Sequence, residues 1–538
     1  MKKPNVIFIY ADDLGRGMLS CYGQQKFKTP NIDRIANEGL QFENSHGCHI
    51  CAPARASLLC GVHDSHRGAW GFTSAGLFLE NLHGRLSEEK IDEMLQKSGI
   101  DRMTDGYYLP MVFKDAGYKT YQVGKLDWGF TTCAREVVSH GWDEHYGFYD
   151  HWVCQGYYAP EIHENGKAIK IEGNNDPNCG RAHFVVKDGR IRQNGDNKEM
   201  HRIVYTPDLV DAKALEYIEK SKDEPFFLYY PSQIPHVALS ISEIDSEIDK
   251  MDDLTLLEKV YASMVLHLDR SVGKIYAKLE ELGILENTLI VFSSDNGHAP
   301  SYTRERLGLG QNGGLDKYGR KLDDLNVRYT TENYNDIFDG NSGRTGKKGS
   351  NFEGGTNVPL LMRLPGTITA GTKTNALVSN YDFFNTMAEM LEIEQRKDKD
   401  SKSYWKLLQG NDAFEEHDHI VFAGGHGPAI ISKNGFKLRS YLKDNYKIEE
   451  FGSAWDKFNE MVILELYDLN NDYKEENNVI EQYPEIADKL LTQLLQECDG
   501  NLMHGTVGPH FVFVGDRNFE PLYSTNKSWT DHIRKNNT

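Results

Sequence analysis

Short runs of consecutive apolar residues recur along this chain, separated by longer stretches in which apolar residues return every three or four positions. The runs "VIFIY" (6–10), "FFLYY" (226–230) and "TLIVFSS" (288–294) are too short for helices and read as buried strands. "TPDLVDAKALEYIEKS" and "KVYASMVLHLDRSVGKIYAKLEELG" follow the helical period. Buried strands alternating with amphipathic helices predict an α/β fold, a large mixed, mostly parallel sheet flanked by helices. From about residue 411 the pattern changes. "AIISKNGFKLRSYL" predicts a hairpin turning at Asn434-Gly435, "MVILELYDL" a further strand and "PEIADKLLTQLLQEC" a helix. The expected organisation is therefore a first domain over 1–410 and a smaller C-terminal α+β subdomain over 411–538 that ends in a tail from about 499. Polar, Gly-rich stretches at 173–200 and 299–347 hold no sustained period and read as long surface insertions.

Composition narrows the class of protein. With 538 residues, 39% of them hydrophobic, the chain can bury a large core. No apolar run has membrane-spanning length, so no membrane partner is expected. The opening "MKKPNVIFIYADDLG" runs almost directly into a strand, which points to a cytoplasmic protein, or to a periplasmic or secreted one if a leader has been removed. A net charge of -20 with no basic stripe argues against a nucleic-acid partner, because phosphate contacts supply that affinity. Any anionic ligand must find a local basic pocket. Eight cysteines in a chain of this length do not make a disulfide framework, although pairing of Cys133, Cys154 or Cys179 stays open.

In parallel sheets ligands gather at the carboxyl ends of the strands. Asp12-Asp13 follows the first strand and Asp295-Asn296-Gly297 the last of the three runs, so both pairs are placed at the site. Singly, each pair is an ordinary turn sequence. Together they supply hard oxygen donors suited to Ca²⁺ or Mg²⁺ rather than Zn²⁺. The stretch "CAPARASLLCG" (51–61) sets Cys51, Pro53 and Arg55 at two-residue intervals, with Cys48 just ahead. Cys48 and Cys51 can be a redox dithiol or half of a zinc site; alternatively one Cys is a nucleophile, or its precursor, beside Arg55.

In these motifs the sequence resembles the formylglycine-dependent (type I) sulfatases of the alkaline phosphatase superfamily. Cys51, Pro53 and Arg55 match the family's C-x-P-x-R signature, and Leu58, Leu59 and Gly61 its downstream Leu-Leu-x-Gly. Asp12-Asp13, Ser294-Asp295-Asn296-Gly297, Gly124-Lys125, Pro235-His236 and Lys348-Gly349 through Phe352-Glu353-Gly354-Gly355 match its other motifs in the family's order. The late "ELYDL" begins at Glu465.

The resemblance implies that Cys51 is oxidised to formylglycine by a separate maturation enzyme, and that its hydrate supplies the nucleophile. One Ca²⁺ (or Mg²⁺) ion would be held by Asp12, Asp13, Asp295, Asn296 and residue 51. Arg55 would hold the hydrate, Lys125, His236 and Lys348 would surround the sulfate oxygens, Asp295 would accept the nucleophile's proton, and His236 or Lys348 would protonate the leaving alcohol. Sulfuric ester hydrolysis is the implied activity, with a sulfated carbohydrate, small or oligomeric, as the expected substrate. Phe352 stands in place of the family's Tyr, and Ala54 and Cys60 at positions often held by Ser and Thr are mild changes; the departure that matters is Asp127, where the family generally has His, a residue that contacts the hydrate and is a candidate base for sulfate expulsion. Two rival functions remain: a phosphonate or phosphodiester hydrolase using the same aldehyde, and a catalytically weakened relative that binds sulfated glycans. His298, His426, Trp70, Trp128 and Trp152 are further candidates for the pocket wall, without motif support.

Overall fold

The computed structural model describes residues 3–66, 75–98, 106–180, 184–187, 190–193, 203–303, 328–411, 413–443, 458–506, 511–513 and 521–523. Its centre is a sheet of ten strands. From one edge these are Thr372–Thr374, Leu40–Phe42, Leu360–Arg363, Thr288–Ser294, Asn5–Ala11, Phe226–Pro231, Lys119–Gly124, Glu144–Gly147, Glu161–Glu164 and Lys167–Lys170. The five strands from Thr288–Ser294 to Glu144–Gly147 run parallel, and antiparallel neighbours flank them on both sides. Asn5–Ala11, Phe226–Pro231 and Thr288–Ser294 are buried at every position, which is why apolar residues follow one another through the middle of each strand rather than alternating with polar ones.

Helices cover the sheet. Thr206–Lys220 starts on Pro207 in its first turn, and Leu256–Glu281 opens with a capping box in which Thr255 and Glu258 satisfy each other's backbone N–H groups. Both helices were expected from the period of their apolar residues, and both pack on one hydrophobic core with the central strands.

The C-terminal subdomain has a four-stranded antiparallel sheet, ordered His419–Phe422, Ala429–Ser432, Phe436–Leu442, Val462–Asp468. The expected hairpin turn is present, with Gly435 at φ +82°. The helix Pro484–Glu497 closes a separate core over this sheet through Ala487, Leu490 and Leu494.

One reading is corrected. Residues 328–347 are not a surface insertion: Tyr329, Asp336, Phe338 and Asn341 are buried. Asp336 makes this possible by satisfying the segment's polar groups, accepting hydrogen bonds from the hydroxyls of Tyr302 (2.7 Å) and Tyr329 (2.6 Å) and from the backbone N–H groups of Phe338 and Gly340. Within 173–200, Phe184–Lys187 and Arg190–Gln193 pair as an antiparallel ribbon. Residues 304–327 of the second stretch lie outside the described residues. No disulfide joins any of the eight cysteines, so neither the pairing of Cys133, Cys154 or Cys179 nor a Cys48–Cys51 disulfide is present. Among the described residues no helix is long and apolar enough to cross a membrane.

Candidate active site

The parallel pairing of Asn5–Ala11 with Thr288–Ser294 sets Ala11 opposite Ser294. Asp12-Asp13 and Asp295-Asn296 therefore leave the sheet side by side at its carboxyl edge. Side chains and backbone knit the two pairs together: Asp13 N–H donates to Asp295 Oδ1 (3.1 Å), and Asn296 Nδ2 donates to Asp13 Oδ1 (2.9 Å). Asp12, Asp13, Asp295 and Asn296 are each no more than 1% exposed.

Cys51 is the first residue of a fully buried helix, Cys51–Cys60. Pro53 suits this place because the first-turn N–H groups of a helix have no intrahelical acceptor, and its missing donor costs nothing there. Arg55 lies one turn on, so it shares a face with Cys51. The helix stops at Gly61, whose φ of +71° is left-handed and whose hydrogen would become a Cβ 2.8 Å from the Phe384 ring in any other residue.

Three cations converge here. Arg55 Nη2 donates to Asp295 Oδ2 (2.7 Å), and Lys125 Nζ to Asp12 Oδ2 (2.5 Å). Lys348 Nζ lies 2.8 Å from Asp13 Oδ1 and 3.0 Å from His236 Nε2. Lys125 follows Gly124, whose φ is +127° and where a Cβ would stand 2.4 Å from the carbonyl oxygen of Pro231, so the turn requires glycine. Lys348 is carried in by the buried segment described above, its N–H donating to the carbonyl of His298 (2.9 Å).

Burial and the neighbouring Asp12 carboxylate push Asp295 above the usual carboxylate range. Against burial, the Lys348 ammonium and the hydrogen bond from Asn296 hold Asp13 below it. Burial would also lower Lys348, yet the Asp13 carboxylate holds its ammonium above the ordinary range. Burial, then the Lys348 cation, push His236 down to about 3. This imidazole is neutral, with Nδ1 directed at the Val237 carbonyl and Nε2 accepting from Lys348 and from Gln155 (3.2 Å). Burial raises the Cys51 thiol.

The donor set fits a hard cation. Asp12 Oδ1 and Asn296 Oδ1 are buried without hydrogen-bond partners among the described residues, and buried oxygens left this way are costly unless a ligand completes them. The ligand atoms of Asp12, Cys51 and Asp295 all lie within 4.8 Å of one another. A thiolate is a soft donor in this company, whereas a hydroxyl oxygen at residue 51 would match it.

The structure thus brings together Asp12, Asp13, Cys51, Arg55, Lys125, His236, Lys348, Asp295 and Asn296. Asp127 is buried nearby, but its hydrogen bonds lead away from Cys51: Oδ2 accepts from His140 Nδ1 (2.7 Å) and Trp142 Nε1 (3.2 Å), and Oδ1 from the Trp128 N–H (2.8 Å). The side chain that does face Cys51 was missed in the sequence. His151 Nδ1 lies 3.8 Å from Cys51 Sγ. Burial, with the cations of Lys125 and Arg55 behind it, holds this imidazole well below its ordinary range. Its signal was its place after a strand, in "EHYGFYDHW".

Among the unsupported candidates, His298 is buried against Tyr302 (Nε2 to Oη, 2.7 Å), and Trp128 stacks on His140. Trp152 packs against Gly76, and His426 sits on the subdomain loop whose Gly425 N–H reaches the carbonyl of Gly349. Trp70 lies outside the described residues.

A large, mostly parallel sheet whose carboxyl edge brings acidic and cationic groups around one buried residue defines the class of the molecule. The chain belongs to the sulfatase family, whose model matches residues 4–393; a model described as N-sulphoglucosamine sulphohydrolase, C-terminal, matches residues 347–499. It is similar to an N-acetylgalactosamine-6-O-sulfatase of Bacteroides thetaiotaomicron, with 26% identity over 92% of this chain and 93% of the relative. A solved structure from work on glycosaminoglycan metabolism by the same organism superimposes with a TM-score of 0.65 at 23% identity, covering 93% of this chain and all of the other. Another, solved with its substrate D-glucosamine-2-N,6-O-disulfate, gives a TM-score of 0.58 at 19% identity over 93% of this chain and 99% of the other.

Proposed function

We propose that this protein hydrolyses a sulfate ester on a carbohydrate, using a formylglycine made from Cys51 by a separate maturation enzyme. The observation that carries the reading is the position of Cys51 Sγ within 4.8 Å of ligand oxygens of Asp12 and Asp295, the carboxylates that Lys125 and Arg55 pair with, while Lys348 pairs with the adjoining Asp13. Asp12, Asp13, Asp295 and Asn296 are the residues that would hold one Ca²⁺ or Mg²⁺. Such an ion would fix a residue-51 oxygen and draw charge from the sulfate.

The remaining chemistry belongs to the chain. Arg55, Lys125 and Lys348 are preorganised donors for charge that spreads over the sulfate oxygens in the transition state. Lys348 is also placed to protonate the departing oxygen: its side chain is 23% exposed, and it already donates to His236. His236 has the opposite orientation, because its Nε2 is an acceptor and its Nδ1 is committed to the Val237 carbonyl. It orients Lys348 rather than supplying the proton itself.

For the substrate, the descriptions of two similar proteins agree on an amino sugar with sulfate at its 6-position, so 6-O-sulfated amino sugars are the first class to test. The matured enzyme is to be incubated with desalted sulfated mono- and disaccharides, with released sulfate measured by ion chromatography. Peptide mass spectrometry of residue 51 should show formylglycine in active preparations. Full activity with unmodified Cys51, or turnover of phosphonate esters alone, would overturn the proposal.

A further inference from the structure

We propose that His151 is a catalytic residue of this site, the acceptor that takes a hydrogen bond from the side chain of residue 51. The inference rests on the sulfatase reading above, and it answers the departure at Asp127.

The sheet explains how one position can stand in for the other. Lys119–Gly124 and Glu144–Gly147 are adjacent parallel strands with Gly124 opposite Gly147. Their following loops leave the sheet together, one carrying Lys125 and Asp127 and the other Asp150 and His151. Phe148 N–H donates to the Gly124 carbonyl (3.2 Å), which ties the second loop to the first. A side chain four residues past Gly147 therefore reaches the space that one three residues past Gly124 would enter.

His151 is held there from several directions. Its N–H donates to the Phe130 carbonyl (3.0 Å), and the Phe130 ring meets the imidazole edge-on with centroids 5.0 Å apart. Asp150, just before it, accepts from Trp152 N–H (2.7 Å), from Gly76 N–H and from the hydroxyl of Thr131 (3.0 Å). His151 is 2% exposed, and its Nε2 has no hydrogen-bond partner among the described residues. Among the described residues the one polar contact of its ring is that to Cys51 Sγ.

The chemistry of the neighbourhood makes an acceptor useful. Arg55, Lys125 and Lys348 bring only donors, and the carboxylates of Asp12, Asp13 and Asp295 face those cations. A hydroxyl on residue 51 is also a donor, and His151 Nδ1 is the nitrogen turned towards it. Asp127 has no such freedom, because both its oxygens are already engaged by His140, Trp142 and Trp128.

The test compares matured wild type with His151→Ala, His151→Asn and Asp127→Asn, each checked for formylglycine content by peptide mass spectrometry and for folding by thermal melting. Sulfate release should fall at least about 100-fold in His151→Ala, and much less in Asp127→Asn. A second measurement needs no turnover: without substrate, hydroxylamine labels the free aldehyde of residue 51, and intact mass follows the rate. Loss of an acceptor that holds the hydrate should speed labelling several-fold in His151→Ala and leave Asp127→Asn close to wild type. His151→Asn keeps an acceptor near the place of Nδ1 and should restore slow labelling, which a purely structural role would not require. Unchanged labelling and turnover in His151→Ala would overturn the inference, as would changes confined to Asp127→Asn. A matured wild type that cleaves no sulfate ester, with labelling still faster in His151→Ala, would instead remove the sulfatase reading and leave the contact standing.

Discussion

Lys348 and Lys437 each set an ammonium against carboxylates in the interior, yet their surroundings differ. Lys437 is 0% exposed and lies 3.0 Å from Glu353 Oε1 and 2.9 Å from Glu475 Oε1. Glu475 also accepts from the backbone N–H of Glu353 (2.7 Å). The three side chains close on one another and bind the subdomain strand Phe436–Leu442 to the turn at Glu353. Lys348 is partly exposed and shares Asp13 with Asn296, in a cluster that leaves Asp12 Oδ1 and Asn296 Oδ1 without partners. A buried charge cluster whose carboxylates both face one cation acts as a joint between parts of the fold, even where Glu475 Oε1 meets that cation as an ion pair without a well-directed hydrogen bond. One that leaves oxygens over and keeps an opening to solvent is built to be completed by a ligand.

Removing the expected ion strikes only the second cluster and should have the largest effect. Prolonged chelation is expected to abolish sulfate release, and Ca²⁺ or Mg²⁺ should restore it. Metal analysis of the active protein checks the oxygen-donor argument, which stoichiometric zinc would refute.

Lys348→Ala should lower kcat by about 100- to 10,000-fold, the range for a lost general acid, while the melting temperature stays close to wild type. Lys437→Ala should do the reverse. Leaving Glu353 and Glu475 buried without their cation is expected to cost about 3–5 kcal/mol of stability, measured by urea unfolding, with activity per folded molecule preserved. A Lys437→Ala protein that is stable but inactive would erase the distinction.

The smallest effect belongs to a third, more open cluster at the junction with the subdomain. His66 Nε2 lies 2.8 Å from Asp400 Oδ2, and His63 Nε2 3.2 Å from Glu497 Oε2. Against burial, His63 and His66 hold Asp400 down to about 2. A carboxylate lowered in the folded state stabilises above its unfolded pKa of about 3.9, and that contribution disappears as the pH falls through the folded value. Wild type should therefore lose on the order of 2 kcal/mol at this group between about pH 4 and pH 2. Asp400→Asn should lack this part of the acid limb, as followed by melting temperature against pH.

Much of the fold and of the site was legible because it is local. The runs at 6–10, 226–230 and 288–294 are apolar on both faces because each strand is covered on both faces, and the periods of Thr206–Lys220 and Leu256–Glu281 report one buried side. Asp12-Asp13 and Asp295-Asn296 were placed at the site because a strand end next to a polar pair is a local pattern. The stretch 328–347 was misread because turns leave no period, and a segment whose polar groups are satisfied by one Asp336 looks like any exposed Gly-rich loop. His151 was missed for a related reason: a histidine after a strand becomes meaningful only when the neighbouring strand is known.

The chain by itself determined which groups the site would contain. Donor type, the Cys51-Pro53-Arg55 spacing and the turn glycines are chemical properties of single residues and of near neighbours. Tertiary structure alone decided which of those groups face one another. The parallel register of Ala11 with Ser294 makes one oxygen cluster out of two distant pairs, and that of Gly124 with Gly147 brings His151 to Cys51 while His140 and Trp142 draw Asp127 aside. Register is set by the packing of whole strands into a shared core, and no stretch of sequence contains both partners of such a pairing.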